Sequence, residues 1–164
     1  MTTLRVENLD FTFATDWQAT KYDDWSFYRN QFLKQGSGIK AVDLLAIAPD
    51  RTCYLVEVKD YRHPDSKKPS KLPEAIASKV LMTLAAMVPA GLHANDPDEK
   101  EFAARVLRSS ALCVVAHIEL PRRHMPVVDK ADLAQKLAQL LRAVHTRPKV
   151  VSKSAGSEMP WSVA

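Results

Sequence analysis

The sequence predicts a single α/β domain built on a central mixed β-sheet with helices on both faces. Its 164 residues, 46% hydrophobic and 26% charged, are typical of one soluble globular domain and exclude a disordered chain or a heptad rod. Helical and strand patterns follow one another in the order α-β-β-α-α-β-α. Helices that separate strands favour a sheet covered on both sides. We assign residues 1–146 to this domain and residues 147–164 to a polar C-terminal tail.

The first third of the chain carries one helical pattern and two strongly apolar strands. Its assigned segments are an edge strand within 4–13, a helix at 22–35, a strand at 39–48, a turn at 49–51 and a strand at 52–60. Asp23 or Asp24 is the expected N-cap of the helix, and Gly36 its end. Both later strands are apolar on each face, which indicates central positions in the sheet. The three-residue turn fits a β-hairpin connection.

The rest of the chain alternates helices with one more buried strand. Its assigned segments are a basic loop at 61–71, helices at 72–88, 97–108 and 130–145, a strand at 110–119 and room for a short strand at 149–151. Pro89 is the expected end of the first of these helices, and Asp129 the N-cap of the last.

Charge and cysteine usage give broader indications. Lys and Arg number 23 against 19 acidic residues, so the net charge of +4 is compatible with nucleic acid without proving it. Cys53 and Cys113 lie inside apolar runs and have no second ligand at zinc spacing, which indicates reduced core thiols. We find no apolar run near the roughly 20 residues that span a bilayer and no N-terminal signal core. These features predict a cytoplasmic protein that does not contact membranes.

Three polar residues interrupt the two apolar strands of the hairpin: Asp43, Glu57 and Lys59. Side chains alternate along a strand, so Glu57 and Lys59 point to the same face. A hairpin closing at 49–51 pairs position 43 with position 57, and cross-strand Cβ atoms lie about 4.5–5.5 Å apart. Two adjacent carboxylates need positive charge, which Lys59 and a divalent cation can supply. Oxygen ligands without nearby His or Cys favour Mg²⁺ or Mn²⁺.

Asp43 followed by Glu57-Val58-Lys59 resembles the PD-(D/E)XK nuclease superfamily, which includes restriction endonucleases, Holliday-junction resolvases and repair nucleases. The resemblance covers about residues 22–120 and implies a restriction-endonuclease-like fold. The core of that family runs α-β-β-β-α-β, and no third strand is evident between 60 and 72. Three explanations stay open: the strand is degraded, replaced, or supplied by an N-terminal segment.

The resemblance also implies roles for individual residues. Asp43 and Glu57 would bind Mg²⁺ together with the backbone carbonyl of Val58, and Lys59 would act on the attacking water or the phosphate. An ordinary edge hairpin with a surface ion pair is the alternative interpretation of these residues. Because the neighbouring positions are apolar, they leave little room for a solvated face.

Further site residues are weaker predictions. Many members of the superfamily carry an acidic residue on the first helix, for which Asp24 is the first candidate, Asp23 the second and Glu7 a remote third. Some members carry a Lys or Gln on the helix after the motif, and Lys79 stands at that position. Helix capping by Asp23 or Asp24, and a solvated Lys79 at a helix edge, are the alternatives.

Basic residues in two loops could bind a nucleic-acid backbone beside the predicted site. The alternative is that these are ordinary solvated loops. They are Arg62, Lys67, Lys68, Lys71, Arg122 and Arg123. The sequence thus predicts a Mg²⁺- or Mn²⁺-dependent nuclease, with DNA as the expected substrate and a homodimer or partner protein to select the target. The alternative is a catalytically inactive protein of the same fold that acts as a nucleic-acid-binding or assembly subunit.

Overall fold

The computed structural model describes residues 1–63, 65–122, 128–155 and 159–164. In these ranges the strands are β1 Thr2–Val6, β2 Leu9–Phe13, β3 Gln18–Lys21, β4 Leu44–Ile47, β5 Thr52–Asp60, β6 Ala111–Glu119, β7 Lys149–Val151 and β8 Ser162–Val163. The α-helices of the same ranges are α1 Ser26–Asn30, α2 Leu72–His93, α3 Pro97–Leu107 and α4 Lys130–Leu140. Short 3₁₀ turns cover Tyr22–Asp24, Phe32–Gln35 and Lys153–Ala155.

The large sheet has the order β3-β4-β5-β6-β7 in the described part of the chain. Strands β3, β4 and β5 are antiparallel, whereas β5, β6 and β7 are parallel, so the predicted mixed sheet is confirmed. The turn between β4 and β5 closes where the sequence predicts: the Arg51 backbone N–H donates to the Ala48 carbonyl over 2.9 Å. Strand β5 also has the predicted bounds.

The small sheet, with the order β1-β2-β8 in the described residues, covers one face of the large sheet. Leu9, Phe11 and Phe13 alternate with half-exposed residues along β2 and pack on Val56 and Val58 of β5. Residues from α1 to α4 pack in a separate core on the opposite face. The expected helices on both faces are therefore wrong, because the apolar alternation of β2 buries one face of the large sheet beneath another sheet.

Strand β3 supplies a third antiparallel strand beside β4, with Lys21 opposite Leu44 and Gln18 opposite Ile47. It precedes the helical segment in the chain. Strand β3 therefore places an N-terminal segment beside the β4–β5 hairpin.

The predicted helix at 22–35 is broken into two 3₁₀ turns around the short α1. The expected N-caps are wrong, since Asp23 and Asp24 lie within the first turn and Trp25 occupies the capping position. The Glu99 carboxylate on α3 instead accepts hydrogen bonds from the Ser26 and Phe27 backbone N–H groups, at 2.6 and 3.0 Å. Capping of α4 by Asp129 is confirmed by its hydrogen bonds from Ala131 and Asp132.

Helix α2 continues through Pro89 to His93, so the predicted helix end at Pro89 is wrong. Beyond the proline, Ala90 is fully buried and its carbonyl accepts a hydrogen bond from the Ala94 N–H at the end of the helix. By length and composition alone α2 could cross a membrane, contrary to our expectation of no such segment. Its inner face, including Ile76 and Val80, belongs to the helix-side core, and a core helix passes the same test.

Within 147–164 the structure confirms the short strand that the sequence allows at 149–151, and the described parts of this segment pair with other strands. Strand β7 pairs in parallel with β6, and β8 pairs with β2, so this segment contributes to both sheets. The Trp161 ring is buried against Phe13 of β2 and Tyr54 of β5, so this part of the segment belongs to the core between the two sheets.

Candidate functional site

The candidate site lies along the end of β5 that β4 leaves unpaired. The last β4–β5 pair joins Leu44 and Val56, and the same register places Asp43 opposite Glu57. The Val58 backbone N–H donates to Asp43 Oδ2 over 2.7 Å. The Asp43 carboxylate thus accepts a hydrogen bond at a position of β5 that no longer pairs with β4. The structure thus brings Asp43 beside the Glu57-Val58-Lys59 segment, as the hairpin spacing predicts.

Glu57 is the most buried acidic residue of this group, with a side chain only 1% exposed. Its Oε1 atom accepts from Lys79 Nζ at 2.6 Å and from Lys59 Nζ at 3.0 Å. Its Oε2 atom is buried and has no hydrogen-bond partner in the part of the chain that the structure describes. Burial, with a smaller contribution from the Asp43 charge, raises the pKa of Glu57 to about 7, against the opposing effect of the two lysines.

Lys79 projects from α2 and completes this group from the opposite side of a cleft. The cleft has a volume of about 330 Å³ and is lined by Lys40, Glu57, Lys59, Pro69, Leu72, Ala75, Ile76 and Lys79. Three lysines, Lys40, Lys59 and Lys79, therefore line the cleft together with Glu57. A larger cavity of about 460 Å³ lies beside the β4–β5 turn and contains none of the predicted catalytic residues. The smaller cleft contains three residues that the sequence names for the site, Glu57, Lys59 and Lys79.

The two candidate acids of the first helical segment have different surroundings. Asp24 is half-exposed and forms ion pairs with Lys21 and Arg29, which balance its charge. Asp23 is half-buried, and its Oδ1 atom is buried without a partner among the described residues. Burial, followed by the charge of Asp43, raises the pKa of Asp23. The charge of Asp43 therefore acts on Asp23, the second candidate.

Glu7 enters the site from the turn between β1 and β2. Its Oε2 atom accepts a hydrogen bond of 2.8 Å from the Asp60 backbone N–H at the end of β5. Glu7 is the remote third candidate of the sequence analysis, and its partner Asp60 lies 53 positions further along the chain. The two apolar-alternating segments around it were the signal that could have indicated a hairpin there.

The predicted nucleic-acid surface is described only in part. Arg62 holds Asp60 through two hydrogen bonds, Nε–Oδ1 at 2.8 Å and Nη2–Oδ2 at 2.6 Å, so its guanidinium is committed to the protein. Lys67, Lys68 and Lys71 are exposed in the loop that borders the cleft, and Arg122 is exposed after β6. Arg123 lies outside the described residues.

The donor set of the site suits a hard cation with few protein ligands. The described residues contain no group of three or more His, Cys, Asp or Glu side chains placed to hold a metal ion. Mg²⁺ commonly binds through one or two carboxylates and keeps its remaining positions for water and substrate phosphate. Asp43, the unpartnered Oε2 of Glu57 and the Val58 carbonyl fit that requirement.

The whole chain is similar to part of a Neisseria meningitidis (serogroup A) protein named cysteine–tRNA ligase, with 31% identity over 209 aligned positions. The chain spans about 30% of the length of this curated relative. No family model matches the sequence, and no solved structure matches the chain.

Proposed function

We propose that this protein is a Mg²⁺- or Mn²⁺-dependent nuclease of the PD-(D/E)XK type that hydrolyses phosphodiester bonds, with DNA as its substrate. The observation that carries the proposal is the buried Glu57 carboxylate, one oxygen on two lysines and the other unpartnered among the described residues. Asp43 lies beside it on the neighbouring strand. Buried carboxyl groups whose pKa is shifted by burial and by charged neighbours are typical of functional sites.

The proposed mechanism assigns one task to each residue. Asp43, Glu57 and the Val58 carbonyl would hold the cation, which when bound lowers the pKa of an attacking water and offsets phosphate charge. Lys59 orients the water or donates to a phosphate oxygen. Lys79 balances the charge of Glu57 from α2. Exposed lysines of the 61–71 loop bind the nucleic-acid backbone.

The restriction-endonuclease-like fold belongs to this proposal. Its support is the antiparallel β3-β4-β5 arrangement, followed by α2 and by β6 in parallel with β5. We also propose a cytoplasmic location, because two buried free cysteines are typical of proteins kept in a reducing compartment. Target choice would come from loops, a homodimer or a partner protein.

The first test is cleavage of plasmid, linear duplex, single-stranded DNA, RNA and tRNA with Mg²⁺, Mn²⁺ or EDTA. Transfer RNA is included because of the name of the relative. We expect metal-dependent cutting that Asp43→Asn, Glu57→Gln and Lys59→Met each reduce by at least about 100-fold. The control is Lys136→Met, which removes an exposed lysine paired with Asp132 on α4. Full activity in any of the three site variants would disprove the assignment.

A second candidate function is a nucleic-acid-binding protein of the same fold that does not cut. Lys59 and Lys79 favour it, because together they already balance the Glu57 charge without a cation. This candidate predicts nucleic-acid binding that EDTA leaves unchanged and no cleavage in any metal. Lys67→Ala and Lys71→Ala should then weaken binding and lower its salt dependence.

A further inference from the structure

A cavity of about 460 Å³ lies at the β4–β5 turn, at the opposite end of β5 from Lys59. Its charged lining residues come from the segment before β3, from the turn and from α3 with its end; they are Asp16, Arg51, Glu101, Arg105 and Arg108. About 20 Å of extended chain separates Arg51 from Glu57. The cavity is therefore distinct from the cleft that holds Glu57, and its volume is typical of sites for small molecules.

Two of the three arginines in this cavity have no acidic partner. Arg105 forms an ion pair with Glu101, one helical turn away on α3. Arg108 donates from Nε to the Ala104 carbonyl at 3.2 Å, and its Nη groups have no acceptor in the described part of the chain. The Arg51 guanidinium has no hydrogen bond or ion pair with any described residue. Guanidinium groups of this kind are suited to bidentate binding of a phosphate.

Arg51 also has a backbone conformation that arginine seldom adopts. Its φ is 65°, in the left-handed region where Gly or Asn is usual at such turns. Hydrogen bonds of 2.9 Å hold it there: the Arg51 N–H donates to the Ala48 carbonyl, and the Arg51 carbonyl accepts from the Ser110 N–H. The Ser110 hydroxyl donates to the neighbouring Asp50 carbonyl, also over 2.9 Å. Backbone strain that its surroundings maintain in this way is often found at ligand sites.

The rest of the lining indicates what kind of ligand fits. Asp16 has no side-chain partner among the described residues, and a carboxylate accepts hydrogen bonds from hydroxyl groups such as those of a ribose. Ile47 and Pro49 supply an apolar side. Two unpaired guanidinium groups match the charge of a phosphomonoester, about −1.5 to −2 at pH 7. A nucleotide combines these three kinds of group.

We infer that this cavity is a second ligand site, which binds the terminal phosphate of a nucleotide through Arg51 and Arg108 and its ribose through Asp16. The same phosphomonoester occurs on a free nucleoside monophosphate and at the phosphorylated end of a nucleic-acid strand. The inference is independent of the proposed nuclease function, because the cavity shares no lining residue with the cleft that holds Glu57.

The test is titration calorimetry of the full chain with AMP in metal-free buffer, with adenosine as the unphosphorylated probe. We expect adenosine to bind at least about 100-fold more weakly than AMP, because the two arginines contact the phosphate. Arg51→Gly and Arg108→Gln should each weaken AMP binding at least about 10-fold. Asp16→Ala should weaken the binding of AMP but not that of inorganic phosphate. The control is Arg142→Gln, an exposed arginine outside the cavity, which should change AMP binding by less than about twofold.

Arg51→Gly also separates binding from folding. Glycine adopts a positive φ without strain, so this variant should keep or raise the Tm while it weakens AMP binding. A raised Tm with unchanged AMP binding would overturn the inference, and so would equal binding of AMP and adenosine. Loss of AMP binding in Lys79→Met but not in Arg51→Gly would place the phosphate in the other cleft and would also overturn it.

A hexanucleotide with and without a terminal phosphate distinguishes the two sources of the phosphomonoester. Tighter binding of the phosphorylated strand than of AMP, weakened by Arg51→Gly, would identify a strand end as the ligand. Tighter binding of AMP, weakened by the same substitution, would identify a free nucleotide. If the unmodified protein binds neither phosphorylated probe, the inference is wrong, whatever the outcome of the cleavage assays.

Discussion

A single buried carboxylate dominates the electrostatics of the candidate site. Glu57 loses nearly all of its contact with water, and two lysines compensate only one of its oxygens among the described residues. Desolvation favours the neutral form, which is why its pKa is raised to about 7 despite the neighbouring ammonium groups. Burial of the Glu57 carboxylate lowers the free energy of unfolding near neutral pH. Its Oε2 oxygen, which has no partner among the described residues, can accept a cation.

This shift predicts how stability depends on pH. The folded protein keeps the Glu57 proton up to about pH 7, whereas the unfolded chain releases it near the ordinary value of 4.5. Stability therefore falls as pH rises from about 4.5 through 7, since the folded state binds more protons over that range. We expect Glu57→Gln to remove part of this fall, on the order of 1–3 kcal/mol between pH 5 and 8 in urea unfolding.

The control for the pH prediction is Glu74→Gln, which changes an exposed glutamate at the start of α2. Its pH profile should match that of the unmodified protein. Parallel profiles for Glu57→Gln and the unmodified protein would show that Glu57 titrates normally, and the electrostatic description of the site would then be wrong.

At the scale of elements, the short helix α1 depends on a partner distant in sequence. Its first N–H groups, those of Ser26 and Phe27, donate to the Glu99 carboxylate of α3. We expect Glu99→Ala to lower the free energy of unfolding by about 1–2 kcal/mol, because it leaves the helix start uncapped. Glu101→Ala, which removes an exposed partner of Arg105 on the same helix, should cost less than about 0.5 kcal/mol. Equal losses in urea titrations would contradict this assignment.

The contact between Glu99 and the start of α1 is an example of a feature that could not be predicted from the sequence. Strand β5 and its hairpin follow from local apolar runs and a three-residue turn, so the neighbourhood of Asp43 and Glu57 was predictable from spacing alone. The cap by Glu99 and the entry of Glu7 each join residues more than 50 positions apart. No local pattern encodes such a contact, because it depends on how separate elements pack.

At the scale of the whole molecule, the site depends on both sheets. Asp43 and Glu57 come from the large sheet, whereas Glu7 comes from the β1–β2 turn of the small sheet. Strand β2 pairs with β8, although about 150 positions separate the two strands in the sequence. The small sheet lies where the sequence predicted a second layer of helices. It also places Glu7 at the end of β5, beside the candidate site.

Trp161 forms an aromatic link between the two sheets. Its ring lies 5.4 Å from Phe13 on β2 and 5.3 Å from Tyr54 on β5, between ring centroids. We expect Trp161→Ala to lower the free energy of unfolding by about 3 kcal/mol, the cost typical of deleting a buried aromatic side chain. Leu140→Ala, at a 46% exposed position of α4, is the control and should cost less than about 1 kcal/mol.

Amide hydrogen exchange measures whether the loss of stability in Trp161→Ala also affects the candidate site. The Asp60 amide is protected by Glu7, so looser packing of the small sheet in Trp161→Ala should speed its exchange more than that of the Leu55 amide inside β5. Equal acceleration at the two amides would mean that the sheets unfold as one unit. Unchanged exchange at Asp60 would mean that Glu7 stays docked without the aromatic cluster, because the β1–β2 pairing alone then holds the turn in place.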